Sequence, residues 1–76
     1  MYVLRSMKFS VHEYVGLTDD PRRRLAEHNA KKSRHTAKFA PWRLEVIVGF
    51  ADACKAEEFE RYLKHGSGHA FRKRHF

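Results

Sequence analysis

With 76 residues the chain makes one domain, and a domain of this size buries only roughly 60% of the surface its unfolded form exposes, so a charge facing the core is costly. Hydrophobic residues at 42% and aromatics at 13% exclude a disordered polyelectrolyte. Sixteen Lys and Arg against nine Asp and Glu, a formal net charge of +7, point to a polyanionic partner, nucleic acid first. No stretch approaches the ~20 apolar residues of a membrane span, so no membrane role is expected.

Residues 1–5, Met-Tyr-Val-Leu-Arg, read as a β-strand. Residues 11–17, Val-His-Glu-Tyr-Val-Gly-Leu, read as a second strand, close enough to the first to make a hairpin. Asp20-Pro21 predicts a helix start, because Asp accepts from the first free N–H groups and Pro suits the first helical position. This helix runs to about Lys31. Residues 32–42 are basic, carry Pro41 and read as a loop. Residues 43–50, Arg-Leu-Glu-Val-Ile-Val-Gly-Phe, are rich in β-branched side chains and form the clearest strand. Asp52 caps a second long helix, Ala53 to about Lys64, which Gly66 ends. His69 to His75 form a short third helix. The order β-β-α-β-α(-α) predicts an α+β domain over residues 1–76, a three-stranded antiparallel sheet flanked by helices. Cys54 is the single cysteine, which excludes an internal disulfide and suits a reducing cytoplasmic setting; a small buried side chain near the helix start is expected. The first ten residues are too polar after Leu4 for a secretory signal.

Glu60 is the residue hardest to explain by folding alone. Ala56, Phe59 and Leu63 form a buried stripe on the second long helix, and Glu60 shares its face. A carboxylate among apolar neighbours is expensive unless it is paired or binds a metal. Arg24 ends the run Arg22-Arg23-Arg24, and His28 lies one turn further along the same side of the helix. That side can face the end of the strand bearing Tyr14. Tyr2 and Tyr14 sit on neighbouring strands, and Gly16 leaves room beside them. The six histidines match no compact zinc motif, and one cysteine cannot complete one. Arg22, Arg23, Lys31, Lys32, Arg34, Lys38 and the tail Arg72-Lys73-Arg74 are candidates for phosphate contacts, which position a strand without reading its sequence.

Four segments in order, Tyr2 to Ser6, Tyr14 to Thr18, Arg24 to Asn29 and Ala56 to Lys64, resemble a GIY-YIG nuclease domain. The likeness is to the small stand-alone kind related to the N-terminal domain of the UvrC excinuclease subunit, and it covers essentially the whole chain. The resemblance implies a metal-dependent endonuclease that hydrolyses phosphodiester bonds in DNA, in repair or recombination, with Mg²⁺ or Mn²⁺ as cofactor. It implies that Tyr2 and Tyr14 are the tyrosines of the first and second motifs, Arg24 the arginine of the first helix, His28 its companion and Glu60 the metal ligand. Tyr14, helped by Tyr2, and His28 compete for the role of general base. The chain departs from the pattern at its start, where Met1 takes the middle place of the first motif and the glycine is absent. The alternatives are a catalytically idle nucleic-acid-binding module of the same fold, or a protein-interaction module whose partner supplies specificity.

Overall fold

The computed structural model describes all 76 residues. Seven elements follow one another: β1 (Tyr2–Ser6), β2 (Glu13–Gly16), α1 (Pro21–Asn29), α2 (Arg34–Ala37), β3 (Trp42–Ile47), α3 (Ala53–Leu63) and α4 (Gly66–His75). The strands form one antiparallel sheet in the order β2-β1-β3, as the α+β reading expected. No helix is long and apolar enough to cross a membrane.

The central strand β1 explains the layering. Tyr2, Val3 and Leu4 are each 1% exposed or less, so both faces of the strand's first half are covered and residues 1–4 run continuously apolar before Arg5 and Ser6. Alternation then sends Val3 to one face and Tyr2 and Leu4 to the other. Val3 packs with Met1, Val15 and Leu63, joined by Val46, Phe59, Phe71 and Phe76, so α3 and α4 cover that face. Tyr2 and Leu4 pack with Trp42, joined by Tyr14, Leu25 and Phe39, which places α1 and the α2 region over the opposite face. The β1–β3 register shifts between Val3 and Leu4, which are opposite Val46 and Leu44, leaving Glu45 as the extra residue of a bulge.

The caps fall where the sequence puts them. Asp20 accepts from Arg23 N at 3.1 Å and Pro21 opens α1; Asp52 accepts from Cys54 N at 2.8 Å and opens α3. Three features differ from the sequence reading. The basic stretch read as a loop contains the short helix α2, whose Thr36 carbonyl takes the indole N–H of Trp42 at 2.9 Å. Cys54, in the first turn of α3, is exposed, not buried. The last helix begins at Gly66, three residues before His69. Gly66 has φ +50, a value that costs glycine little and lets the chain turn directly out of α3 into α4. Gly68 then lies against the Tyr62 carbonyl, where a Cβ has no space.

A charged knot fastens α4 to the sheet. Glu13 on β2 meets Arg5 Nη2 of β1 at 2.6 Å and Arg72 Nε of α4 at 3.4 Å, with side-chain exposures of 10%, 21% and 15%.

Candidate active site

The site is built on the sheet face that α1 covers. Tyr2 is opposite Gly16 and Leu4 is opposite Tyr14, so Tyr2, Tyr14 and Gly16 share one face at the β1–β2 edge. The tyrosine rings are tilted at 40° with centroids 6.1 Å apart. Gly16 is the floor beneath them. A Cβ there would lie 2.6 Å from the Tyr2 hydroxyl and 2.9 Å from Tyr14 Cε1, so only glycine lets both rings lie across this strand.

From α1, His28 is driven into the same space and is 1% exposed. Its ring sits 4.8 Å from that of Tyr14. Both ring nitrogens are engaged: Nε2 lies 3.1 Å from the Tyr2 hydroxyl and Nδ1 2.8 Å from Thr36 Oγ1. The Thr36 hydroxyl is 3.5 Å from the Ser33 carbonyl. A neutral imidazole holds one proton, so one consistent arrangement has Tyr2 O–H donating to Nε2, Nδ1–H donating to Thr36, and Thr36 donating to Ser33. Thr36 was not among the residues singled out from the sequence. It lies in α2, and no local pattern in that basic stretch marks a hydroxyl as the partner of a histidine on the preceding helix. Asn29, next to His28, pins the same layer by accepting from Trp42 N and donating to the Trp42 carbonyl at 3.0 Å.

The electrostatics follow from burial. Burial pushes the His28 pKa below the usual imidazole value, and the neighbouring Arg24 charge pushes it the same way, with Glu27 opposing. His28 is therefore neutral at pH 7 and able to accept a proton. Burial raises the Tyr2 pKa, which the nearby Arg24 guanidinium partly offsets. Tyr2 and Glu27 in turn raise that of Arg24. The guanidinium approaches the Tyr2 oxygen without completing a hydrogen bond; its ion pair is with Glu27, one turn along α1, and its side chain stays 36% exposed. Arg24 is thus held beside the tyrosines with its charge open to solvent. Tyr14 is half-buried, and its hydroxyl has no hydrogen-bond partner in good geometry.

Glu60 sits on α3 at the margin of the stripe of Phe59 and Leu63. Its side chain is 19% exposed, and its ion pair is with Lys64 at 3.4 Å. It makes no hydrogen bond or ion pair with Tyr2, Tyr14, Arg24 or His28. No group of three His, Cys, Asp or Glu side chains gathers around it or elsewhere, so the chain contains no protein cage for a metal. A lone, partly exposed carboxylate does fit an ion such as Mg²⁺, which keeps most of its waters and takes one or two carboxylates together with substrate phosphate. The largest concavity, about 680 Å³, is lined by residues including Leu17, Pro21, Ile47 and Phe50, and none of the five candidate catalytic residues borders it. Within the tyrosine cluster Tyr2 and His28 are buried, and the half-buried Tyr14 and the guanidinium of Arg24 are the groups that reach solvent.

The basic candidates divide by placement. Arg22, Arg23, Lys31, Lys32, Arg34 and Lys38 are exposed on α1, on α2 and in the segments that follow them. Lys73 and Arg74 are exposed on α4, whereas Arg72 is turned inward to Glu13 and His69.

The sequence matches the family model described as the GIY-YIG catalytic domain over residues 1–74. It is 35% identical over 82 residues to a protein of Candida dubliniensis named Structure-specific endonuclease subunit SLX1, with 99% of this chain and 27% of that protein covered. The protein of the same name from Aspergillus niger is 42% identical over 65 residues, covering 78% of this chain and 15% of the relative. A homologue so named in Giardia intestinalis is 39% identical over 51 residues, with 62% of this chain and 14% of the relative covered. The chain therefore spans a small part of the length of these relatives. No solved structure matches it.

Proposed function

Because the chain belongs to the GIY-YIG catalytic domain family, we propose that it is a divalent-metal-dependent endonuclease that hydrolyses phosphodiester bonds in DNA, its site formed by Tyr2, Tyr14, Arg24, His28 and Glu60. The observation that supports this most strongly is the Tyr2–His28–Thr36 chain with Arg24 held open beside it. A binding module gains nothing from a buried neutral histidine wired to a tyrosine hydroxyl.

Arg24 places positive charge where negative charge builds on the phosphoryl oxygens. Such a positioned donor is worth about 3 kcal/mol in the transition state. Tyr14 offers its half-exposed hydroxyl to the attacking water. His28 has no ring nitrogen left for water and almost no exposure, so it acts through Tyr2, by accepting its proton and orienting its oxygen. Glu60 is the residue that would hold Mg²⁺ or Mn²⁺, which supplies positive charge beside the reacting phosphate. The exposed cations of α1 and α2 position the strand by its phosphates.

The relatives are named as subunits of structure-specific endonucleases, and the same work is assigned to this domain: cutting DNA of irregular or branched form in repair or recombination, with a protein partner supplying specificity. Nicking of supercoiled plasmid and of branched DNA with Mg²⁺ or Mn²⁺ tests the proposal. Wild type is expected to nick and Glu60→Gln to fail while still folding. Intact DNA binding without cleavage under either ion would leave an idle binding module. A pH–rate profile of His28→Ala tests the histidine: an unchanged limb at neutral pH rules out His28 as the base and leaves Tyr14.

A further inference from the structure

At the far end of β1 from Tyr2, a second group of aromatic side chains reaches the surface. Phe9, in the β1–β2 connection, is 44% exposed and stands edge-on to Phe39 and to His12, with centroids 5.9 and 6.1 Å away. His12 stacks on Phe39 at 4.1 Å and 25°. Two cations lie over these rings: Lys8 Nζ is 5.6 Å from the Phe9 centroid and Lys38 Nζ 5.4 Å from that of Phe39. The same short connection exposes Met7 at 63% and Val11 at 87%. A turn that only joined two strands has no use for so much exposed apolar surface.

The shelf is held rigidly. Ser6 Oγ donates to the Phe39 carbonyl at 2.6 Å and accepts from Phe9 N at 2.9 Å and Lys8 N at 3.2 Å. Met7 N donates to the Pro41 carbonyl at 2.8 Å, and His12 N to the Phe9 carbonyl at 2.9 Å. The surrounding charge is of one sign. The segments Ser6–His12 and Ala30–Trp42 carry Lys8, Lys31, Lys32, Arg34 and Lys38 and no Asp or Glu. The next carboxylate, Glu13, is neutralised by Arg5 and Arg72.

We propose that the Phe9–His12–Phe39 shelf is an accessory nucleic-acid subsite on which an unpaired base stacks, with Lys8 and Lys38 taking the flanking phosphates. Aromatic rings with a cation over one face of Phe9 and one of Phe39, on a surface without carboxylates, match the chemistry of single-strand binding. Ser6 lies four strand steps from Tyr2, about 13 Å along β1. That distance is about four base steps of duplex. The shelf therefore holds an unpaired arm while the paired region lies at the tyrosines. This rests on the reading of the domain as one that acts on nucleic acid.

The test is fluorescence anisotropy of a labelled oligothymidylate and of a blunt duplex, in EDTA so that cleavage plays no part. Phe9→Ala is expected to weaken the oligothymidylate about 5-fold or more while changing duplex affinity little. Phe9→Leu keeps apolar bulk without a flat ring and is expected to weaken it as well, whereas Phe9→Trp retains it. Removing Lys8 or Lys38 lowers the salt slope by about one each. Unchanged single-strand affinity in Phe9→Ala, or equal losses for single strand and duplex, overturns the shelf and leaves its apolar surface to a protein partner. Failure of the wild type to bind either DNA overturns the functional reading beneath it.

Discussion

Gly16→Ala is the sharpest test of how the tyrosines are seated. A methyl at this position meets the Tyr2 hydroxyl at 2.6 Å, Tyr2 Cζ at 2.7 Å and Tyr14 Cε1 at 2.9 Å. Tyr2 is 1% exposed and bonded to His28, so its ring cannot retreat without breaking that contact. Overpacking of this kind costs about 1–3 kcal/mol. Losing a buried hydrogen bond adds about 1 kcal/mol. Gly16 lacks a left-handed φ, so alanine also restricts the unfolded chain and offsets about 0.5 kcal/mol. The net loss is about 2.5 kcal/mol, which in a domain this small lowers Tm by about 10–20 °C. Gly49→Ala is the control, since nothing lies within 4 Å of a Cβ there. Thermal melts by circular dichroism would read both variants, and single-turnover nicking would follow at a temperature where Gly16→Ala is folded, with at least a tenfold loss of rate expected. A Tm and rate matching those of Gly49→Ala would refute the seating of both rings on Gly16.

Two further outcomes follow from the charges. Since burial and Arg24 lower the His28 pKa, its neutral form is favoured in the fold. The stability it allows is fully present above the unfolded value of about 6.5 and is lost as pH falls through the folded pKa. Urea unfolding between pH 7.5 and 5 should show wild type losing more stability than His28→Gln; parallel curves would contradict the buried neutral imidazole. Glu13→Gln leaves Arg72 without its carboxylate partner, while Arg5 keeps Glu45 at 3.4 Å, at a cost of about 1–3 kcal/mol. Melting should show that loss while DNA cleavage in the cold is unchanged, and an unaltered Tm would show that α4 is held by Phe71 and Phe76 alone.

Much of the fold was legible because short-range chemistry dictates it. Asp20-Pro21 and Asp52 cap the helices they were expected to cap, and the β-branched run after Trp42 is a strand. Tyr2, Tyr14, Arg24 and His28 could be nominated because strand neighbours and a one-turn helix spacing are local properties. Thr36 could not, because its contact with His28 depends on how α2 folds back over α1, and a four-residue helix has no periodicity to read. The exposure of Cys54 escaped notice for a related reason. Cysteine usually avoids water, yet here it stands exposed in the first turn of α3, a placement that residue type alone does not reveal. Arg72 sat in a run of cations read as phosphate contacts, and only the return of α4 to β2 supplies Glu13 as its partner. Glu60 was correctly placed beside Phe59 and Leu63, but its pairing with Lys64 shows that the side chain lies at the edge of the stripe.

The central claim is that the tyrosine cluster under α1 and the carboxylate on α3 work as one site, although no contact joins them in the free protein. A double-variant cycle measures this directly, with single-turnover cleavage of branched DNA in Mn²⁺ by wild type, Tyr14→Phe, Glu60→Gln and the double variant. Residues that act as a unit give strongly non-additive losses. The account predicts a double variant little slower than the slower single variant. Losses that multiply in full, or a Glu60→Gln rate equal to wild type, would contradict it.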